Sequence, residues 1–406
     1  MKVVYKTCCG LDVHKKIIAA CILNGDKKEL KSFGTMTDDI LELVEWIKEH
    51  QCEAVAMEST GVYWKPIYNL LELDGIKTLV VNAKHMKAVP GRKTDIKDAE
   101  WIADLLKHGL LKASYIPSRD QRELRELVRY RKSIIEERSR EITRIQKILE
   151  GANIKLSSVV TDVMCVSGRR MLEAIINGST DPKFLASLAL GKLRDKTASL
   201  EKSLKGLIAE HQKMILSAQL KHIDFLSNEI EVLSSEIENR LKGQSQEIEL
   251  LDGIPGIGVR TAENIIAEMG SDMSRFPTAN HLASWAGLCP GNNESAGKKK
   301  STRTREGDKT LRSALVEAAR SAAKKKNTYF YAQYHRIAAR RGKNRAAVTV
   351  AHSLCIVIYH MLSEKRPYYE IGADHFDKIN EKYRLNRLKT QLESLGYTVT
   401  KVDESA

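Results

Sequence analysis

The chain has no CxxC pair. Its seven cysteines are an odd number scattered over 406 residues, which excludes a disulfide framework and the spaced ligand pairs of a structural zinc site. The adjacent Cys8-Cys9 fit a reduced compartment. The opening Met1-Lys2-Val3-Val4-Tyr5-Lys6 leads into no long apolar core of a signal peptide. No window approaches the roughly 18 uninterrupted apolar residues of a membrane span. A cytoplasmic protein without a membrane partner is therefore expected.

What is present is length, apolar content and positive charge. At 406 residues the chain can form two or three domains. An apolar content of 42% supports real cores, and the net charge of +14, with pI near 9.3, points to a polyanionic partner such as nucleic acid. The surplus is local. Lys298 to Arg345 holds sixteen Lys/Arg against three Asp/Glu, a net of +13 in 48 residues. Lys298, Lys299, Lys300, Arg303, Arg305, Lys324, Lys325, Lys326, Arg340 and Arg341 are the candidate phosphate contacts, whose binding would fall steeply with salt. Tyr329, Phe330, Tyr331 and Tyr334 are interleaved and suit stacking on unpaired bases. As alternatives, the charge run is a solvated face and Tyr334 is core.

The amino end alternates strands and helices. Val3–Cys9, Ile17–Leu23 and Glu29–Phe33 read as hairpin-connected strands, with Asp12 just past the first. A helix over Asp38–Glu49, a strand over Gln51–Ser59 ending at Glu58, a helix over Val62–Leu73 and a strand over Lys77–Asn82 follow, which indicates a mixed α/β sheet. After the loop Pro90-Gly91-Arg92-Lys93, Thr94 can cap a helix whose first turn carries Asp95 and Asp98, three apart and so on one face. Asp12, Glu58, Asp95 and Asp98 each lie beside an element end. Carboxylate oxygens suit hard cations such as Mg²⁺ or Mn²⁺. Position alone equally allows a turn aspartate, a strand-end glutamate and two acids favoured by a helix dipole.

The middle is charge-rich and helical. Arg119–Gly151 and Lys202–Leu241 each carry an apolar seam near heptad spacing, interrupted in the first by Arg131 and Arg138. They read as a coiled-coil region, either packed on itself or joining subunits. Helical pieces over Val163–Asn177 and from Asp181-Pro182 to Leu190 lie between. Leu251–Ile266, with Gly256 and Gly258 in a Gly-Ile-Gly turn, reads as helix, hairpin, helix. Glycine there can admit a phosphate to backbone amides at a helix N-terminus. The alternative is a tight turn with no ligand. Ser295 lies among small residues before three lysines and would need a base or metal to act as a nucleophile. Its residues alone read as a basic loop. Ala346–Met361 is an apolar closing helix, and the chain from Glu364 onward is polar.

Three segments, Gly10–Lys16 (GLDVHKK), Met57–Trp64 (MESTGVYW) and Arg92–Leu106, resemble the N-terminal domain of DEDD transposases, the IS one-ten type insertion-sequence recombinases, over about the first 115 residues. Positions 250 to 340, with IPGIG, SRFPTANHLASWAGLCPG, ESAGKKK and LRSALVEAAR, resemble that family's C-terminal domain. The resemblance implies a RuvC-like, RNase H-type α/β domain over 1–115 and a serine-bearing helical domain over 246–365, which with the residue pattern leaves a coiled-coil region over 116–245, a helix-hairpin-helix within 246–365 and a polar tail over 366–406. It implies that Asp12, Glu58, Asp95 and Asp98 hold metal and that Ser295 attacks a DNA phosphate, with Ser301 a fallback because the flanks depart from the commoner Ser-Ser-Gly. It also implies donor and target DNA, an element-encoded guide RNA, a homo-oligomer (dimer or tetramer) with a composite site, and a nucleoid location. The absence of an ATP motif fits transesterification. The rivals are a Holliday-junction-type metal-dependent endonuclease without a covalent intermediate and a non-catalytic nucleic-acid-binding scaffold.

Overall fold

The computed structural model describes residues 3–59, 61–82, 95–291, 293–295, 298–301 and 303–400, without the side chains of residues 95–97, 293–295, 298–301, 380, 382 and 384. The chain divides into two compact units, Met1–Ser118 and Arg119–Ala406.

The first unit is a five-stranded sheet in the order β3-β2-β1-β4-β5. Strands β1 (Thr7–Val13), β2 (Ile18–Asn24) and β3 (Lys27–Phe33) pair antiparallel, and β4 (Ala54–Glu58) and β5 (Thr78–Val81) add in parallel to β1. Parallel pairing needs crossovers, and α1 (Thr37–Glu49) and α2 (Trp64–Leu73) supply them. The third helix, α3, is Asp95–Lys107. Strand β1 runs further than its apolar run suggested, so Asp12 sits inside it, paired with Ala19, rather than after it. The edge strand β3 is exposed except at Phe33, and its lysines blunt edge pairing.

The two faces of this sheet differ in side-chain size. Cys9, Leu11, Val13, Val55 and Met57 pack with Leu43, Trp46 and Ile47 of α1 and Ile67 and Leu71 of α2. Cys8, Ala54 and Ala56 pack with Ala99, Ile102, Ala103 and Leu106 of α3. Small residues let α3 lie very close. A Cβ on Gly10 would stand 2.3 Å from the Ala99 carbonyl oxygen and 2.4 Å from the Ala103 nitrogen. Burial pushes the thiols of Cys8 and Cys21 up to about 11 and that of Cys52 up to about 12, so they stay protonated and inert.

The second unit is built on a helix pair, α4 (Arg119–Gly151) and α9 (Glu210–Leu241). They run antiparallel. Leu124 and Val128 share a core with Ile237 and Leu241, Ile134 meets Leu226 and Ile230, and Ile145 and Leu149 meet Leu216, Leu220 and Ile223. The seams legible on both helices are thus covered within one chain. Arg131 interrupts the seam because it is a buried ion-pair partner, with Nη1 2.7 Å from Glu263 Oε2 and Nη2 donating to Asn264 Oδ1 at 3.2 Å. One end of the pair closes over α5 (Leu156–Val159), α6 (Val166–Ile176), α7 (Pro182–Ser187) and α8 (Thr197–Ser203). Asp181 caps α7 through the amides of Lys183 and Phe184, with Pro182 opening the helix.

The other end closes over α10 (Ser245–Asp252), α11 (Val259–Met269), α12 (Ala279–Trp285), α13 (Lys309–Ala322) and α15 (Lys343–Glu364), with α14 (Tyr329–Arg341) beside them. By length and composition α15 could cross a membrane, but Val350, Leu354, Ile358 and Met361 are buried in this core. The polar carboxyl end begins as a strap. Glu370 accepts from the Tyr329 amide (2.8 Å) and the Tyr368 hydroxyl (3.1 Å). Helix α16 (His375–Ser394) follows. Tyr329 stacks on Phe376 with centroids 5.0 Å apart, and Phe330 is fully buried against Tyr368. Tyr329 and Phe330 are therefore packing residues, not free base-stacking platforms, because the strap supplies their partners. Tyr334 also packs against the core.

Candidate metal centre and serine ribbon

Register places the acids of the first unit. Strands β1 and β4 pair through Gly10 with Ala56 and Leu11 with Met57, so Asp12 and Glu58 are the next residue on each strand. Alternation puts them on the face of Cys8, Ala54 and Ala56, the one that α3 covers. The direction of α3 puts its first turn at the same end. Its Lys107 carbonyl accepts from the Val4 amide at 2.8 Å, Ala103 lies at Cys8 and Ala99 at Gly10. Helix α3 therefore runs opposite to β1, and its start lies toward Asp12. Asp98 is half-buried next to Ala99 in that first turn. Asp95 is the first residue of α3; its side chain lies outside the described residues, as does the preceding loop with Thr94.

Asp12 is 9% exposed, and His14 Nε2 lies 3.1 Å from its Oδ2. A buried carboxylate needs hydrogen bonds or a cation. His14, two residues on and half-exposed, is a neighbour that the strand-end reading missed; the signal was the short Asp-Val-His spacing. Among the described residues no three His, Cys, Asp or Glu side chains converge as a metal site, and that set does not include Asp95.

In the second unit the loop bearing the candidate serine is a ribbon. Strands β6 (Asn293–Ser295) and β7 (Lys298–Ser301) pair antiparallel, with Ser295 opposite Lys298. The side chains of Ser295, Ser301, Lys298, Lys299 and Lys300 lie outside the described residues. Below the strands the Gly291 amide donates to the Arg303 carbonyl (2.8 Å) and the Arg305 amide to the Cys289 carbonyl (3.1 Å). At the root a Cβ on Gly307 would stand 2.3 Å from the Gly287 nitrogen, and Gly287 has φ +70°. Only glycines allow that crossing.

A polar network lies beneath this root. Arg129 of α4 donates from Nε and Nη2 to both oxygens of the fully buried Glu268, each at 2.7 Å, and from Nη2 to Asp308 Oδ2 at 3.3 Å. Asp308 caps α13 through the Leu311 amide at 2.8 Å. Arg125 donates from Nε to the Ala267 carbonyl (3.1 Å), capping α11, and stands 5.8 Å from the centroid of Trp285. Burial pushes the Glu268 carboxyl above its ordinary range while the hydrogen bonds from Arg129 pull it down. The bidentate fork is ion-pair geometry. The charge-rich face of α4 concealed this role, because sequence does not say which arginine meets a buried acid.

The Gly-Ile-Gly turn joins α10 to α11. Gly256 has φ +91°, and its Cβ would stand 2.4 Å from the Ala322 nitrogen. The close approach its missing side chain permits is to α13, a cause independent of phosphate. Gly258 is the exposed N-cap of α11, with nothing nearer than Asp252 Oδ1 at 4.0 Å. Arg303, Arg305, Lys324, Lys325, Lys326, Arg340 and Arg341 are exposed.

A transposase family model, for the DEDD domain of IS110 elements, matches residues 9–154. A second, described as transposase IS116/IS110/IS902 family, matches residues 248–335. The chain belongs to the IS110 family of transposases. It is similar to the pilin gene-inverting protein of Moraxella lacunata, 23% identical over 89% of this chain and 98% of that one. It is also similar to the insertion element IS900 uncharacterized 42 kDa protein of Mycobacterium paratuberculosis, 26% identical over 69% of this chain and 76% of that one. A short stretch, 10% of each chain, is 54% identical to an IS110 protein of Streptomyces coelicolor. The two family matches fall on the sheet unit with all of α4 and on the core that holds the serine ribbon. An IS110-family transposase processes DNA, so DNA is its partner.

Proposed function

We propose that this transposase cuts and rejoins DNA by attack of Ser295 on a phosphate, assisted by divalent ions held by Asp12, Glu58, Asp95 and Asp98 on an RNase H-like sheet. The observation that carries the reading is the register of β1 and β4. It puts Asp12 and Glu58 side by side on the face reached by the first turn of α3. The strand order supports an RNase H-like assignment. The donor set is all carboxylate, which fits Mg²⁺ or Mn²⁺ rather than a softer metal. When bound, such ions supply Lewis-acid stabilisation to the entering and leaving oxygens.

The chain's own residues do the rest. Ser295 Oγ forms a bond to phosphorus while the bond to the departing strand oxygen breaks, and that oxygen takes the electron pair and, through water, the serine proton. The phosphoserine conserves the bond energy until a second strand attacks. Exposed cations around the ribbon hold the backbone, and the turn at Gly258 with the α11 N-terminus is a helix-hairpin-helix phosphate contact. The relative named for inverting a pilin gene supports rejoining over simple hydrolysis. A guide RNA and a dimer or tetramer with a composite site belong to this reading through the family resemblance, and RNase treatment that abolishes target choice would support the first. The deciding test traps protein–DNA adducts. Wild type with Mg²⁺ should form one, whereas Ser295→Ala and Asp12→Asn should not. An adduct that survives Ser295→Ala, or full activity in chelator, would refute the reading.

A further inference from the structure

We propose that Arg125 and Arg129 are positioning residues that fix the ribbon carrying Ser295; this rests on the serine reading above. The ribbon leaves the core after Trp285 and returns at Asp308, whose amide donates to the Trp285 carbonyl at 3.0 Å. One turn of α4 holds both roots. Arg125 lies over the Trp285 ring, and four residues on, Arg129 reaches Asp308 while its Nε and Nη2 clamp Glu268. Residues four apart share a helix face, so the two guanidiniums act on the roots from one rigid surface. Glu268 is fully buried, and Arg125 Nε also stands 3.5 Å from its Oε2, so both arginines face the same acid. The contacts differ from those of an ordinary surface ion pair: the acid is inside, the fork is bidentate, and the third partner is the residue at which the ribbon ends.

The consequence concerns rate rather than binding. A nucleophile displaced by about 1 Å can lose on the order of a hundredfold in rate while its substrate stays bound. Lysine in place of Arg129 keeps the charge opposite Glu268 but cannot make the fork. Arg169 gives a control fork away from the ribbon: between α6 and α9 it is bidentate to Asp224, a more exposed acid than Glu268, at 2.6 Å for both contacts.

The experiment compares full-length wild type, Arg129→Lys and Arg169→Lys. DNA affinity should stay within about twofold for all three. The single-turnover rate of adduct formation should fall about tenfold or more for Arg129→Lys alone. Amide exchange at Gly291 and Arg305, whose bonds cross the ribbon, should quicken in the same variant and not in the control. Equal adduct rates and unchanged exchange in both variants overturn the proposal, as does a rate loss matched by Arg169→Lys. If wild type forms no adduct the serine reading itself fails, and the exchange result then shows separately whether Arg129 holds the ribbon.

Discussion

The acid edge of the sheet unit and the serine ribbon of the helical unit are placed by different physics. At the acid edge the backbone does the placing. Strand alternation, parallel register and the direction of α3 carry Asp12, Glu58 and Asp98 to one end, and no side chain has to reach across. At the ribbon, two short strands of three and four residues could not hold themselves. A glycine crossing and two arginines from a remote stretch of sequence hold them instead. The placement of the first kind of site survives any substitution that spares the backbone packing, whereas that of the second fails when one long side chain is shortened.

The largest effect that would sharpen this contrast lies at the acid edge. Glu58→Gln keeps size and strand but removes a charged oxygen. Metal assistance worth several kcal/mol corresponds to about a thousandfold in adduct rate. Circular dichroism and melting should stay as in wild type. A variant with more than a tenth of the wild-type rate would mean that Glu58 is a strand-end residue and nothing more.

Next come paired glycine substitutions. Gly10→Ala drives a methyl into the α3 backbone, where neither element can yield, and should cost about 3 kcal/mol, the upper end for overpacking. Gly307→Ala meets backbone at a similar 2.3 Å, but in the connection between α12 and α13 rather than between a strand and a helix of a packed core. It should cost about 1 kcal/mol and yet reduce adduct formation by about tenfold. Denaturant unfolding with adduct assays on both variants checks the pair. Equal stability losses would show that the ribbon root is as integral to its core as Gly10 is to the sheet.

These pairs also explain what the sequence could reveal. The strands and the helices α1, α2 and α4 were legible because apolar period and element ends are local signals, whereas the acids stood out as a set only through the family resemblance. Arg131 looked like a flaw in a seam, since its partner Glu263 is 132 residues away. The aromatics at Tyr329 and Phe330 looked available for bases because nothing local announces that Tyr368, Glu370 and Phe376 will fold back over them. Gly256 reads from sequence as either a phosphate cradle or a tight turn, since a glycine kept open for a ligand and one kept bare for a neighbouring helix have the same letter. What sequence hides throughout is the long-range partner.

The smallest effect tests whether the sheet unit also relies on any side-chain clamp. Trp46 and His50 of the α1 end both meet Glu29 on the edge strand, with Trp46 Nε1 donating to Glu29 Oε1 at 3.0 Å and His50 Nε2 3.0 Å from Oε2. The Trp46 carbonyl beside Nδ1, with help from Glu29, holds the His50 imidazolium above its ordinary value near 6.5. A raised value in the folded state means that the charged histidine stabilises fully below about pH 6.5 and that this is lost as pH rises through the folded value. The melting temperature of wild type should therefore fall slightly across that interval relative to His50→Gln, which has no such step. The pair is solvent-facing, so the slope is shallow and weakens in salt. A steep, salt-insensitive step would mean that the β3 edge is held by this clamp rather than by its strand pairing, and the distinction drawn between the two sites would no longer divide backbone from side chain.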